Sequence, residues 1–422
     1  MARGGGSARR AVNAAAGVGA VRAVEAVWRI ESARIVATLA RMTGDLGLAE
    51  DLAQEALVEA LEQWPSVGTP RNPGAWLTAV AKRRAIDGWR RRERLDDRYR
   101  AMAADLADAA DPEWEPVADD VLRLVLTACH PALSRESQVA LTLRVVNGLT
   151  TEQLARLLLV PVPTVQARIT RAKKALAGVP FATPDPAEWS DRLAGVLGVV
   201  HLLFTEGYAA TSGAEWMRPE IAEEALRLGR VLGRLLPREP EVLGLLALME
   251  LQASRFAARR GPDGGPVLLE DQDRSRWDRA QIGRGRAALE RADAIGRGRG
   301  PFALQAAIAE RHAVAPSVAA TDWPGIVRLY DALAALSPNP VVRLNRAVAL
   351  AMADGPAAGL AAVDALVAEG ALRGSHLVPS VRGELLARLG RREEATAALA
   401  AAAALTANER IRAVLLAKAA AL

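Results

Sequence analysis

The sequence predicts an all-α protein made of three helical bodies, and three patterns along the chain predict it. Residues 149–176, LTTEQLARLLLVPVPTVQARITRAKKAL, show two short helical periods separated by Pro161 and Pro163. Residues 51–92 hold two longer helical periods of opposite charge, and beyond about residue 185 the chain becomes rich in Ala and Leu at helical spacing. Apolar residues that return every three or four positions mark a helix with one buried face. With 422 residues, 51% of them hydrophobic, the chain is long enough to bury sizeable cores in about three domains.

The first 21 residues are rich in Gly, Ala and Arg and lack the continuous apolar run of a signal peptide, so they read as a disordered tail. The next two helices segregate their charges. DLAQEALVEALEQWP carries Asp51, Glu55, Glu59 and Glu62, with no cationic partner at helical spacing. After a loop, SVGTPRN at 66–72, the helix PGAWLTAVAKRRAIDGWRRR carries Lys82, Arg83, Arg84, Arg90, Arg91 and Arg92. An acidic helix fits a basic protein partner. A basic helix beside Trp76 and Trp89 fits nucleic acid, where rings stack on or wedge between bases. The plainer reading of these tryptophans is core packing, because Trp76, Ala79, Val80 and Ile86 make one apolar stripe.

Residues 96–120 hold nine acidic and two basic residues and read as a tether between this pair and the next. In the segment 149–176, Thr150 and Gln153 form a capping box, and the two prolines end one helix and start another. Leu154, Leu157 and Leu158 supply an inner face, and Val165, Ile169, Ala172 and Leu176 pack inward from the second helix. Outward lie Ala167, Thr170, Arg171 and Lys174, flanked by Gln166, Lys173 and Arg168. No acidic residue occurs between Glu152 and Asp185 to cancel their field. Two such helices read as a DNA-reading unit, against the plainer alternative of a hairpin with a solvated basic face. The net charge is only +5, and residues 1–180 hold 25 basic against 21 acidic groups, so the positive potential is local.

In the C-terminal half, Ile326, Tyr330, Leu333 and Pro338 are spaced like the second helix of a tetratricopeptide repeat, and Ala395, Leu399, Ala402 and Ala407 repeat the spacing. Gly355 and Gly390 lie 35 apart, close to one repeat. Two or three repeats are expected between about 300 and 422, on a base of helices at 190–255. Their surface would hold a protein or peptide partner, or serve as a scaffold alone. Between Leu268 and Asp278, the acids Asp271 and Asp273 imitate a calcium loop, but Arg276 and Ile282 stand where Gly and Glu are needed. A clamp made by Arg274, Arg276 and Trp277 is expected instead. His130, His201, His312 and His376 lie on separate segments with no catalytic motif, and Cys129 beside His130 reads as a buried thiol rather than a zinc ligand. No cofactor and no metal are expected. One cysteine, and no run of about 18 apolar residues, point to a reduced, cytoplasmic setting without a membrane span.

The order of these parts resembles a bacterial RNA polymerase sigma factor of the extracytoplasmic-function (ECF) type, within the sigma-70 family. The resemblance rests on A49-E-D-L-A-Q-E, then P73-G-A-W-L-T-A-V-A-K-R-R-A-I-D, then the basic helix-turn-helix, over about residues 22–178. It implies a region 2-like domain at 22–95, an acidic linker at 96–116, a region 4-like helix-turn-helix at 117–178 and a tetratricopeptide-like extension at 185–422. Core RNA polymerase and promoter DNA are the implied partners. Asp51, Gln54 and Glu55 match polymerase-contacting positions, and the loop from Ser66 to Asn72 matches a pocket for a flipped base. Asn72, Trp76, Arg83, Arg84, Asp87, Arg90 and Arg91 fall on the minus-10 surface. Thr164, Gln166, Arg168, Thr170, Arg171, Lys173 and Lys174 fall on the minus-35 reading helix. The chain departs from the pattern at Arg83, where Asn is common, and at Leu159 and Pro163, where Gly is.

The extension resembles that of a group of these sigma factors through H201-L-L-F-T-E-G-Y, L269-E-D-Q-D-R-S-R-W-D, T321-D-W with Leu329 and Tyr330, and L344-N-R-A-V-A. The implied function is promoter-specific initiation regulated through that extension, with the polymerase supplying the chemistry. A stand-alone helix-turn-helix regulator with a repeat-built sensor is the alternative. The acidic helix separates the two, since a repressor has no use for it.

Overall fold

The computed structural model describes residues 5–92, 118–158, 160–209, 216–262 and 264–422, and their side chains except those of 5–23, 88–92, 118–119 and 156. The expected linker at 96–116 and the turn residue Leu159 lie outside the described residues. Two compact units form, Met1–Val199 and Val200–Leu422. Among the described residues both are helical, with two short 3-10 turns and one isolated bridge between Arg260 and Pro266.

The N-terminal unit opens with α1 (Gly5–Thr43), α2 (Leu46–Val67) and α3 (Pro73–Arg92). Helix α1 starts inside the stretch expected to be a disordered tail. Alanine, the strongest helix former, dominates there and carries the helical backbone through it. Ile35, Val36 and Leu39 of α1 meet a stripe of α2 that includes Leu52, Ala53 and Ala56, all buried. Asp45 caps α2 by accepting from the Leu48 N–H at 3.0 Å, and Asn72 caps α3 by accepting from the Ala75 N–H at 3.1 Å. Each cap is worth about 1 kcal/mol. The buried stripe of α3 is Leu77, Val80, Ala81 and Ala85. The expected stripe was rotated from this: Ala79 is exposed, and Trp76 and Ile86 are half-buried. Trp76 instead packs edge-to-face on the buried Trp64, centroids 5.4 Å apart.

Next come α4 (Ala118–Ala128), α5 (Arg135–Val145), α6 (Thr151–Leu158) and α7 (Val162–Leu176). Gln138 ties the α4–α5 turn by donating to the carbonyls of Cys129 and His130. Cys129 is a buried thiol against Thr142, and burial pushes its pKa up to about 11. These four helices close onto the first three. Gly148, at φ +69°, lies so near α1 that a Cβ would come within 2.5 Å of the Ser32 hydroxyl, and Arg41 of α1 reaches the buried Asp120 of α4 at 3.0 Å. The first turns of α8 (Trp189–Tyr208) belong to the same unit, where Arg192 donates to the Leu126 carbonyl at 3.0 Å.

The C-terminal unit is a succession of helical hairpins. It runs through α9 (Pro219–Leu235), α10 (Pro240–Ala253), the single turn α11 (Phe256–Arg259), α12 (Arg279–Ala294) and α13 (Pro301–Val314). It continues with α14 (Trp323–Leu336), α15 (Pro340–Asp354), α16 (Pro356–Ala368), α17 (Leu377–Arg388), α18 (Arg392–Leu405) and α19 (Glu409–Ala420). From α13 onward each helix packs on the next. Of the expected repeat positions, Ile326 and Leu333 on α14, and Ala395, Leu399 and Ala402 on α18, are buried and Tyr330 is half-buried, whereas Pro338 and Ala407, past the helix ends, are exposed. Gly355 and Gly390, with φ near +96° and +75°, open α16 and α18. A Cβ on Gly359 would strike Ala351, and one on Gly383 would strike Leu399, so paired helices touch through small residues.

Arg274 donates to the carbonyls of His312 and Ala315 at 2.7 and 2.8 Å while lying over the ring of the buried Trp277. The expected clamp therefore forms with Arg274 and Trp277, whereas Arg276 is exposed, because the 3-10 turn through Arg274–Arg276 points it away. His312 packs edge-to-face on Trp323 with centroids 5.2 Å apart, and among the described residues its buried Nδ1 has no hydrogen-bond partner. Burial, then Arg255 and Arg274, push its pKa down to about 4.

Because the folded value lies below the unfolded value of about 6.5, the unfolded chain binds the extra proton between the two. Stability should therefore fall as pH drops from about 6.5 toward 4, by up to about 3 kcal/mol from this group. Urea midpoints followed by tryptophan fluorescence at pH 7 and pH 4.5 check this. His312→Gln should flatten that slope relative to the parent chain.

Candidate nucleic-acid interface

The basic helix is held by a scaffold that its own sequence specifies. The Thr150 hydroxyl accepts from the Gln153 N–H at 3.2 Å, while Gln153 Oε1 accepts from the Thr150 N–H at 2.8 Å. This closed capping box starts α6. Leu154 is fully buried and Leu157 and Leu158 are half-buried. Pro161 precedes α7 in extended conformation, and Pro163 occupies its first turn, where a missing N–H costs nothing. Val165, Ile169, Ala172 and Leu176 are all buried, which seats α7 against α5 and α6.

The opposite side of α7 faces solvent. Gln166, Thr170, Arg171 and Lys174 are exposed, and Thr164 and Arg168 are half-buried. Arg171 donates to the Ala167 carbonyl of its own helix at 3.2 Å. Among the described residues neither Arg171 nor Lys174 has a carboxylate in ion-pair range. Their positive field is therefore uncancelled and points outward, as contact with phosphate and base edges requires.

Lys173 behaves differently. It turns to α2 and donates to Glu50 at 2.5 Å and to Asp51 at 2.7 Å. Glu50 also receives Arg144 Nε of α5 at 2.8 Å, and its side chain is only 4% exposed. Burial opposes the charge of Lys173, but Glu50 and Asp51 outweigh it and hold the amine above its ordinary pKa. In the free chain Lys173 is thus engaged with α2 rather than turned outward with Arg171 and Lys174.

The acidic face of α2 is likewise engaged. Asp51 and Glu55 are exposed and Gln54 is half-buried, but Arg84 of α3 donates to Glu55 at 3.0 Å and to Glu59 at 2.7 Å. The carboxylates therefore do have intrachain cations. Spacing within one helix misses them because they come from the neighbouring helices α3 and α7. Of the other residues expected on the α3 surface, Arg83 and Asp87 are exposed, Asn72 caps the helix and Trp76 is half-buried on Trp64. The side chains of Trp89, Arg90 and Arg91 lie outside the described residues.

Three residues escaped sequence reasoning. Glu50 and Arg144 form the ionic hub, and Val58, 53% exposed, sits among the outward acids of α2. A signal for Glu50 existed: Leu46, Glu50, Ala53, Leu57, Ala60 and Trp64 follow buried-stripe spacing, and a carboxylate on an apolar stripe needs a buried cation. Its partners lie 94 and 123 residues away, beyond any local pattern.

Residues 29–95 match the family model of Sigma-70 region 2, and residues 123–176 match that of Sigma-70, region 4. Residues 192–293 match a family of unknown function (DUF6596). Over 384 residues the chain is 44% identical to an uncharacterized protein of Rhizobium meliloti (strain 1021), covering 88% of this chain and 89% of that protein. It is 33% identical over 137 residues to the probable ECF RNA polymerase sigma factor SigI of Mycobacterium tuberculosis, covering 31% of this chain and 47% of that protein. With the ECF RNA polymerase sigma factor SigL of the same species, identity is 31% over 141 residues, covering 32% of this chain and 76% of that one. No solved structure matches.

Burial ranks the ion pairs. Glu50→Ala should cost about 3–5 kcal/mol by leaving two partly buried cations uncompensated, whereas Asp51→Asn, at a site 66% exposed, should cost less than about 1 kcal/mol. Urea unfolding of each variant gives the comparison, and equal small losses would remove Glu50 as the hub.

Proposed function

The chain belongs to the ECF sigma factors of the sigma-70 family, with a C-terminal helical extension, and on that premise we propose how its surfaces share promoter-specific transcription initiation. Helix α7 reads the minus-35 major groove. Gln166, Thr170 and Arg171 lie nearest base edges, and Thr164, Arg168, Lys173 and Lys174 meet phosphate. The loop ending at Asn72, with Trp76, Arg83, Arg84, Asp87, Arg90 and Arg91, opens and reads the minus-10 element. Asp51, Gln54 and Glu55, with Val58 among them, dock on core RNA polymerase. The observation that carries this reading is α7 itself: a helix with one side buried presents Gln166, Thr170, Arg171 and Lys174 together on the other.

The ion pairs add an order of events. Lys173 is held by Asp51, and Arg84 by Glu55, so candidate DNA-binding cations neutralise candidate polymerase-binding carboxylates. Polymerase binding competes for Asp51 and Glu55 and thereby frees Arg84, and the Lys173 donor that Asp51 held, for DNA, while Lys173 keeps its pairing with the buried Glu50. By linkage, DNA binding favours polymerase binding to the same extent. A stand-alone regulator gains nothing from such coupling. The protein works where polymerase and promoter meet, in the cytoplasm, and the polymerase supplies the bond-making chemistry. The extension regulates the two DNA-handling parts and carries the surface for a further partner.

Arg171→Ala should weaken promoter binding by roughly 1–3 kcal/mol and loosen base preference at one position, while Lys174→Ala should weaken all sequences alike and lower the salt slope by about one. Competition binding on a set of minus-35 variants at several salt concentrations separates the two. Equal loss of base preference in both variants would contradict the assignment.

Run-off transcription with core polymerase, with and without the chain, tests the reading as a whole. Ending the chain after Val199, where the N-terminal unit closes, should preserve core binding in a pull-down and lower the run-off rate. A truncated protein that transcribes at the full-length rate would remove the regulatory role of the extension.

A further inference from the structure

The C-terminal unit contains a cavity of about 630 Å³. One wall is the stretch from Arg255 to Gln272 together with Tyr208 and Trp216, and the facing wall is built by α15, α17, α18 and α19. The lining is mostly apolar, with Val267, Leu268, Val348, Leu385 and Leu415 prominent. Leu268 and Val348 remain 39% and 37% exposed, so this apolar surface is open to water. A volume of this size suits a small molecule, for which sites span roughly 300–1,000 Å³.

Charge is distributed unevenly around the cavity. Its two lining carboxylates are already matched, Glu270 by Arg388 at 3.0 Å and Glu384 by Lys418 at 2.6 Å. At the other end, Arg255 donates to the Tyr208 hydroxyl at 2.6 Å, and Arg259 donates to the Tyr208 carbonyl. The Arg259 guanidinium lies 3.5 Å from the Tyr208 ring centre and 4.9 Å from that of Trp216. Among the described residues no carboxylate meets either arginine. Burial, with Arg255 adding to it, pushes the Arg259 pKa down to about 10, which marks a cation in need of a counter-charge. Aromatic faces offset only part of that need, and an anion matches the guanidinium fork better.

We propose that this cavity binds a small amphipathic organic anion, its acidic head held by Arg255 and Arg259 beside Tyr208 and Trp216, its apolar body laid along Leu268, Val348 and Leu415. Head and body are both needed, because the arginines supply direction and the apolar wall supplies most of the buried area. The assignment stands on the cavity alone and does not depend on what the extension does to transcription.

Isothermal titration of the full-length protein with octanoate, octyl phosphate, octan-1-ol and acetate tests it. At least one of the two anionic octyl probes should bind ten times more tightly than octan-1-ol, and acetate, a head without a body, should not bind. Which octyl anion binds more tightly distinguishes a carboxylate ligand from a phosphate ligand. Arg255→Gln, at a half-exposed side chain, should weaken the anionic probes at least tenfold and leave octan-1-ol unchanged, with the fold checked by circular dichroism. Val348→Glu, on the exposed lip, should also weaken them. Absence of binding by both octyl anions at millimolar concentration overturns the proposal, as does octan-1-ol binding equal to theirs, or unchanged binding in Arg255→Gln.

Discussion

A carboxylate that loses its water must find cations, and in the N-terminal unit that carboxylate is Glu50. It sits on the inward stripe of α2, where the surrounding positions are Leu, Ala and Trp, and it is matched by Arg144 and Lys173. Both cations come from α5 and α7, so satisfying one buried charge fixes how the first three helices meet the next four. The Arg41 to Asp120 pair and the close fit of Gly148 against α1 add to the same junction. Such networks specify geometry more than they stabilise, since removing the water from each charge offsets much of the attraction.

This junction gives the charge segregation of the sequence a second meaning. Acidic α2 and basic α3, proposed above to meet partners of opposite sign, serve each other in the free chain through Arg84, Glu55 and Glu59. Exposed pairs of this kind are weak, worth less than about 1 kcal/mol, so they yield readily to a large interface. The Glu50 hub, being buried, does not yield on the same terms. The outer pairs can therefore exchange partners while the hub holds the register of α2 against α7.

The C-terminal unit meets its charges by two routes. Glu250 is buried and takes Arg230 and Arg284, the same solution as Glu50. Arg255, Arg259 and Arg274 instead lie against Tyr208, Trp216 and Trp277, and spend their donors on carbonyls and a phenol. Aromatic and carbonyl partners are neutral, so among the described residues these arginines leave positive charge at the edge of an apolar cavity. Small residues make the rest of the unit possible. Ala and Gly at Ala351, Gly359 and Gly383 let neighbouring helices approach closely, so an alanine-rich sequence builds a packed stack with few large side chains.

The sequence by itself determined what is local. The helical class, the Thr150–Gln153 capping box, the prolines around α7, its buried face of Val165, Ile169, Ala172 and Leu176, and the inward repeat positions of α14 and α18 all follow from spacing along one helix. Tertiary structure alone decided what lies between helices. It rotated the buried stripe of α3 onto Leu77 and Ala85, turned Lys173 toward Glu50, gave Arg84 to Glu55, and brought Arg255 and Arg259 to a wall facing α15 and α19. The physical reason is the range of each force. Helical periodicity and capping act over three or four residues, and composition reports them directly. An ion pair between residues 94 or 123 positions apart exists only after apolar burial has brought its helices together, and no local pattern records which cation arrives.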